Sequence, residues 1–433
     1  MASAPAATNT RWRIIALIFF VYVLMYIDRV NISIAAKYIM PEYGLTEIEF
    51  GYIFSAFVLG YALAQIPGGW LGDRYGPRRV MAWAILWWST FTAVTALAGE
   101  LFLASTLGVI GSFAVIRALI GFGEAAAPPN GNRMIANWFP SRERGLASGI
   151  AVSGSAVGAA LTPPFIVYVM VNWGWRESFY IAGGAGIFVA FIWYILTNDN
   201  PKHDRAVNES ELKLINENHT APDDKDEPLA SVPWKKLLIG RRDLWFLTAA
   251  YGVLGYIAYF YFAWFYLYLV NERGFSLEAG GFYTMAPFFT MAIAGPTGGW
   301  LSDRLSQKYS KRVGRSGLGF ATLGLTGILV FIGAGAADPV LAVVFLSLST
   351  GTLLLGAAAF WATTIDLARA YAGTASGLMN MGGNLGGTIS PSLTPWLANE
   401  YGWASSLYVM SGLSIIGAFL WLGIDPDREI DLA

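Results

Sequence analysis

Twelve long apolar stretches, separated mostly by short polar turns, constrain this 433-residue chain more than any other feature of its sequence. They cover approximately 14–34, 50–71, 78–98, 105–127, 146–171, 177–197, 244–270, 281–301, 317–337, 340–365, 374–398 and 404–424. A helix needs about 20 mostly apolar residues to cross a hydrocarbon layer of roughly 30 Å, and each stretch meets that length. Spanning strands are excluded, because the stretches are about twice a barrel strand's length and do not alternate. The first stretch is too long for a cleavable signal, carries Asp28 and Arg29, and has no small-residue cleavage pattern behind it. Composition agrees: 13% of residues are charged and 55% hydrophobic, against about 25% charged in soluble domains. These features predict an all-α membrane protein with twelve transmembrane helices, and exclude an ordinary soluble enzyme or a disordered chain.

Basic residues set the expected orientation. With the N-terminus inside, 23 of the 28 Lys and Arg fall in cytoplasmic segments, three in outside loops and two within spans. That asymmetry predicts both termini cytoplasmic. The net charge of −1 and the lack of a long basic run exclude a nucleic-acid partner. The chain has no cysteine, and both its histidines, His203 and His219, lie in one polar stretch. Disulfides, thiolate or histidine metal sites and any resident cofactor are therefore not expected. The polar stretch separates two blocks of six spans, giving an N-terminal bundle 1–197, a cytoplasmic linker 198–242 and a C-terminal bundle 243–433. Within the linker, Asn208–Asn218 has an amphipathic pattern suited to a membrane surface.

The blocks repeat. Gly68-Gly-Trp-Leu-Gly-Asp-Arg74 recurs as Gly298-Gly-Trp-Leu-Ser-Asp-Arg304 at an offset of 230. Gly145-Leu-Ala-Ser-Gly149 recurs as Gly373-Thr-Ala-Ser-Gly377, Pro163 as Pro391, and Gly174-Trp175 as Gly402-Trp403, all at 228. Parallel six-helix repeats are a transporter layout, with substrate bound near the midplane between them.

Four ionisable residues interrupt the apolar spans: Asp28 and Arg29 in the first, Arg117 and Glu124 in the fourth. Each costs on the order of 2.5–3.5 kcal/mol at a helix centre, so retention requires a structural partner or a use. Asp28 and Arg29 are consecutive and cannot face each other on a helix. Arg117 and Glu124 share a face but are separated by about 10.5 Å of rise, too far for an ion pair. Gly121 between them leaves a groove for a ligand or another helix, and the fourth span can continue past Pro128 to Phe139. Guanidinium holds its proton and grips carboxylates, whereas a desolvated carboxyl can load and unload protons. The expected roles are proton binding by Asp28 and Glu124, and substrate-anion binding by Arg117 and Arg29. The competing reading is a static ion network that fixes helix packing.

Gly69-Trp-Leu-Gly-Asp73-Arg74-Tyr-Gly76-Pro-Arg78-Arg79 resembles the signature loop of the major facilitator superfamily. In that loop Gly69 and Gly72 are expected to allow close helix contact, and there and in its repeat at Asp303-Arg304 the charges are expected to latch a gate. Asp73 would accept from a helix N-terminus or pair with Arg142 or Arg144, and Asp366 would pair with Arg369. A plain positive-inside turn is the alternative. Tyr26-Ile-Asp28-Arg29-Val-Asn31, Arg117-Ala-Leu-Ile-Gly121-Phe-Gly123-Glu124 and Gly377-Leu-Met-Asn380-Met-Gly-Gly-Asn384-Leu-Gly386-Gly387 resemble the anion:cation symporter family within it. That resemblance implies proton-coupled symport of an organic anion, with a sugar acid (aldonate, aldarate or hexuronate) as the leading class. Its site would include Tyr26 and Tyr61, with Ser155 where galactonate carriers have glutamine.

The C-terminal half offers neutral hydrogen-bonding groups: Tyr256, Tyr259 and Tyr261 in span 7, Trp361, Thr363 and Thr364 in span 10, and Asn380 and Asn384 in span 11. Substrate contact and helix–helix bonding both fit these side chains. The expected partners are a small organic anion, protons and the lipid bilayer of a bacterial inner membrane. The chain is expected to act as a monomer driven by the proton gradient. The weighed alternatives are an exporter or facilitator of another carboxylate and, from a different class, a membrane enzyme or sensor.

Overall fold

Each apolar stretch forms a helix in the computed structural model, which describes residues 6–216, 242–368 and 372–428. The first six spans are α1 (Thr10–Tyr43), α2 (Glu47–Tyr75), α3 (Pro77–Thr95), α4 (Phe102–Glu124) continued by α5 (Ala127–Trp138), α6 (Ser141–Trp173) and α7 (Trp175–Leu196). A short α8 (Glu209–Asn216) follows. The second six are α9 (Arg242–Ala263), α10 (Leu277–Lys308), α11 (Leu318–Gly335), α12 (Pro339–Ala368), α13 (Ala372–Tyr401) and α14 (Trp403–Leu422). Among the described residues, nine of these regions are long and apolar enough by themselves to cross a membrane. Of the other three, α3 opens on Arg78 and Arg79 and carries Ser and Thr, while α10 and α13 are diluted by Gly, Ser, Thr and Pro, with Asn also in α13.

Glycine sets two of the sharp reversals in the chain. Gly174 and its repeat Gly402 have φ of 108° and 84°, a region open to glycine at little cost, so one helix stops and the next begins immediately. The duplication extends to close contacts. A side chain at Gly154 or Gly158 of α6 would strike α1 at Phe19 or Val23. A side chain at the repeat positions Gly382 and Gly386 of α13 would strike α9 at Thr248 or Gly252. Likewise Gly68 of α2 abuts Ala126, and Gly298 of α10 abuts Leu355 of α12.

The helices divide into two compact units. One comprises Met1–Asn31, Ala56–Ala159 and Val169–Pro228; the other comprises Ile32–Ser55, Ala160–Tyr168 and Leu229–Ala433. Inside the second, Phe54 packs edge-on against Trp264 at 5.3 Å, and the Ser55 hydroxyl donates to the Thr388 carbonyl at 2.7 Å.

The start of the linker is docked onto the first unit. Glu211 of α8 is fully buried and accepts hydrogen bonds from the Thr8 hydroxyl, the Thr10 and Arg11 amides and the Arg11 guanidinium. Burial pushes this carboxyl up, but these four donors outweigh it and hold it below its ordinary value. Arg11 also pairs with Glu143 at 2.9 Å, and Arg13 with Asp204 at 2.7 Å. The amphipathic stretch thus presents its buried face to the N-terminal segment. Residues 217–241, which include His219, lie outside the described residues.

Candidate functional site

The α2–α4 seam positions the charged cluster. Gly60 meets Ala118, and a Cβ at Gly121 would collide with the Phe57 carbonyl and the Tyr61 amide. The groove expected beside Gly121 is therefore filled by α2. This close approach delivers two rings, Phe57 and Tyr61, to the two arginines.

Glu124, the last residue of α4, is 0% exposed and receives a 2.7 Å hydrogen bond from Arg29 Nε at its Oε2. Its Oε1 makes no hydrogen bond. The Arg29 guanidinium lies 4.6 Å from the Tyr61 ring centre, 5.0 Å from Tyr26 and 5.1 Å from Phe57. Phe57 also carries the Arg117 guanidinium, at 4.6 Å, so two cations share one ring. Such contacts supply about 2 kcal/mol when desolvated and help hold cations away from water.

Arg117 Nη1 donates a long 3.5 Å hydrogen bond to the backbone carbonyl of Asp28. Asp28 is buried within electrostatic reach of Arg117 and Glu124. Trp88 and Thr92 of α3 face its carboxyl, yet Asp28 Oδ1, Trp88 Nε1 and Thr92 Oγ1 are each without a hydrogen bond. Ser155 of α6 stands beside the Tyr26 hydroxyl. One unit therefore brings together Asp28, Arg29, Arg117, Glu124, Tyr26, Tyr61 and Ser155. The spacing argument holds: Arg117 and Glu124 do not pair with each other, and Glu124 takes its partner from α1. With all four groups ionised the cluster is neutral, which moderates the cost of burying it.

Three participants were not singled out in the sequence: Phe57, Trp88 and Thr92. Phe57 stands four residues before Tyr61, and Trp88 four before Thr92, so each pair shares a helical face. That spacing is the available signal, although it resembles ordinary core packing.

Among the described residues, the second unit contributes no charge near its spanning centres. Tyr256 of α9 is buried, with its hydroxyl facing Thr394 and making no hydrogen bond. Tyr259 packs edge-on against Phe262 at 6.0 Å and covers Gly387. Tyr261 is committed to structure, bonding the Leu346 carbonyl and the Ser349 hydroxyl. Trp361 is half exposed, edge-on to Tyr251 at 6.0 Å. Thr363 donates to the Ala359 carbonyl within its own helix, while Thr364 links α12 to Ser376 of α13 at 2.7 Å. Asn380 and Asn384 are partly exposed, one turn apart on α13.

The gate residues divide similarly. In the first unit Arg78 anchors its backbone amide on Asp199 at 2.7 Å and its guanidinium on the Tyr194 carbonyl. Arg74 is exposed and stacks on Trp70 and Tyr75. The tight seam there uses Gly68 and Gly72, four residues apart, against Ala126 and Asn130. Gly69 faces Pro129 at ordinary contact distance, so it is not the close-approach position. The side chains of Asp73, Arg142 and Arg144 lie outside the described residues, as does Arg369. In the second unit Asp303 pairs with Arg315 at 2.8 Å, and Arg304 stacks on Trp300. Asp366 pairs with Lys311 at 2.8 Å and Arg315 at 3.3 Å.

Comparison with known proteins gives a consistent result. The profile of the Major Facilitator Superfamily matches residues 18–391. A probable sulfoacetate transporter of Cupriavidus necator is 34% identical over 427 residues, spanning 98% of this chain and 96% of that protein. The D-galactonate transporter of Escherichia coli is 33% identical over 437 residues, spanning 97% and 96%. The crystal structure of a bacterial homolog of the human lysosomal transporter Spinster has a TM-score of 0.75 and 17% identity, covering 96% of this chain and 97% of that one. That last likeness concerns the fold alone.

Proposed function

This chain belongs to the Major Facilitator Superfamily, and we propose that it is a secondary active transporter carrying a small organic anion together with protons by alternating access. The substrate class we assign is a sugar acid: an aldonate, aldarate or hexuronate. Relatives named for D-galactonate and for sulfoacetate support an organic anion as cargo. Bacterial relatives also favour a multi-pass location in a bacterial inner membrane.

The observation that carries the reading is the buried Arg29–Glu124 pair, with Asp28 and Arg117 beside it. An anion entering this neutral cluster would leave a net negative charge in low dielectric, which is costly. A proton arriving with it restores neutrality. Protonated Glu124 loses most of its hold on Arg29, which then joins Arg117 in gripping the substrate carboxylate. When the proton leaves, Glu124 reclaims Arg29 and the anion is released. A dianion would require the second carboxyl, Asp28, to be protonated as well. Tyr256, Asn380 and Asn384 carry neutral groups of the kind that bond the hydroxyls of a polyol acid.

Uptake of labelled galactonate and glucarate into proteoliposomes, with and without an inward proton gradient, tests the reading. Each coupled proton gives about tenfold accumulation per pH unit. Equilibration without accumulation would leave a facilitator, and no uptake of any organic anion would remove the cargo class.

A further inference from the structure

A groove of about 370 Å³ opens on the outer face of the first unit between α2, α3 and α4. Its walls are Ala64, Pro67, Gly68 and Leu71 of α2, Trp83 and Trp87 of α3, and Phe122 and Gly123 of α4. Trp83 is 71% exposed and Phe122 48%, so these rings stand toward the surroundings of a spanning bundle, which are lipid. One end of the groove differs chemically. Tyr75 and Arg79 close it there, at the end of α2 and α3 that the charge asymmetry assigns to the cytoplasm. From Arg79 to Trp87 is eight residues of helix, about 12 Å of depth.

Arg79 is exposed and, among the described residues, makes no hydrogen bond or ion pair. Its neighbour Arg78 is engaged by Tyr194 and Asp199, and the basic residues Lys311 and Arg315 of the second unit are paired with Asp303 and Asp366. Thus a cation with no counter-charge among the described residues sits at the headgroup level of an apolar slot.

We propose that this groove binds one anionic phospholipid, its acyl chain between Trp83, Trp87 and Phe122 and its phosphate on Arg79. Apolar walls require a chain, and the cation selects a headgroup of net negative charge. The floor of the groove includes Gly123 and Ala126, which flank the break between α4 and α5 where Glu124 sits. A chain seated there packs against the back of that joint and limits its motion.

The test uses the full-length protein in detergent with phosphatidylglycerol or phosphatidylcholine of identical chains, read by native mass spectrometry. Wild type should retain phosphatidylglycerol about fivefold better, from roughly 1 kcal/mol for one basic residue near the surface, and Arg79→Gln should abolish the preference. A phosphatidylglycerol bearing a photoreactive group on its acyl chain should label peptides containing Trp83 or Phe122, and Trp83→Ala should reduce that labelling severalfold. Glycerol phosphate in millimolar excess should not displace the lipid, because it lacks the chain. Equal retention of both lipids, an undiminished preference in Arg79→Gln, or labelling elsewhere would overturn the proposal.

Discussion

Gly154 and Gly158 hold α1 against α6 in the first half, and Gly382 and Gly386 hold α9 against α13 in the second. The contact pairs align the two halves closely. Gly158 with Val23 corresponds to Gly386 with Gly252, which places Ile257 and Ala258 opposite Asp28 and Arg29 at an offset of 229. The Gly68–Ala126 and Gly298–Leu355 pairs do the same for α4 and α12, setting Leu346 and Leu353 opposite Arg117 and Glu124. Both leucines are buried. One scaffold therefore carries four charges in one half and four aliphatic residues at the matching places in the other. Backbone packing does not require the charges, since the second half is built without them. This comparison argues against a purely structural role for the cluster.

The strongest way to break the comparison is to give the first half the second half's residue. Arg117→Leu removes one guanidinium from the cluster and should lower sugar-acid uptake by at least about a hundredfold, the loss expected when a buried cation no longer meets the substrate carboxylate. Counterflow exchange in proteoliposomes should fall equally, while the protein remains folded by thermal melting. Retained exchange would assign substrate binding elsewhere.

The second half is expected to act on affinity alone. Asn384→Ala should raise the apparent KM about fivefold through the loss of one hydrogen bond, with an unchanged proton-to-substrate ratio. A changed ratio would show that the neutral half participates in coupling. Asp366→Asn releases Lys311 and Arg315, pairs that are partly open to water, so a smaller, roughly twofold to threefold change in transport rate is expected.

The smallest effect concerns α8. Glu211 lies below its ordinary value when folded, so its stabilisation is complete above the carboxylate range and disappears as pH falls through the folded value. Amide exchange of residues 209–216 should therefore accelerate in acid, and Glu211→Gln should accelerate it already at pH 7. Transport at neutral pH should be little altered.

The sequence reveals the helices, the repeat and the identity of the buried charges because each follows from local pattern: apolar length, constant offset, and rare ionisable residues. It does not reveal which charges pair. Arg29 chooses Glu124, 95 positions away, because Gly60 and Gly121 let α2 and α4 approach and seat Tyr61 and Phe57 around the guanidinium. Glycine spacing suggests close contact but not which helix fills it. Gly69 illustrates the same point, since Gly68 and Gly72 carry the contact instead. The linker's docking was hidden for a different reason: the four donors around Glu211 come from Thr8, Thr10 and Arg11, about 200 residues earlier.

Glu124 is proposed as the proton carrier that competes with substrate for Arg29. Glu124→Gln in proteoliposomes, compared with wild type, isolates that claim: labelled galactonate counterflow should persist, whereas accumulation under a one-unit inward pH gradient should fall from about tenfold to none. Gradient-driven accumulation equal to wild type in this variant, or loss of counterflow together with accumulation, would contradict it.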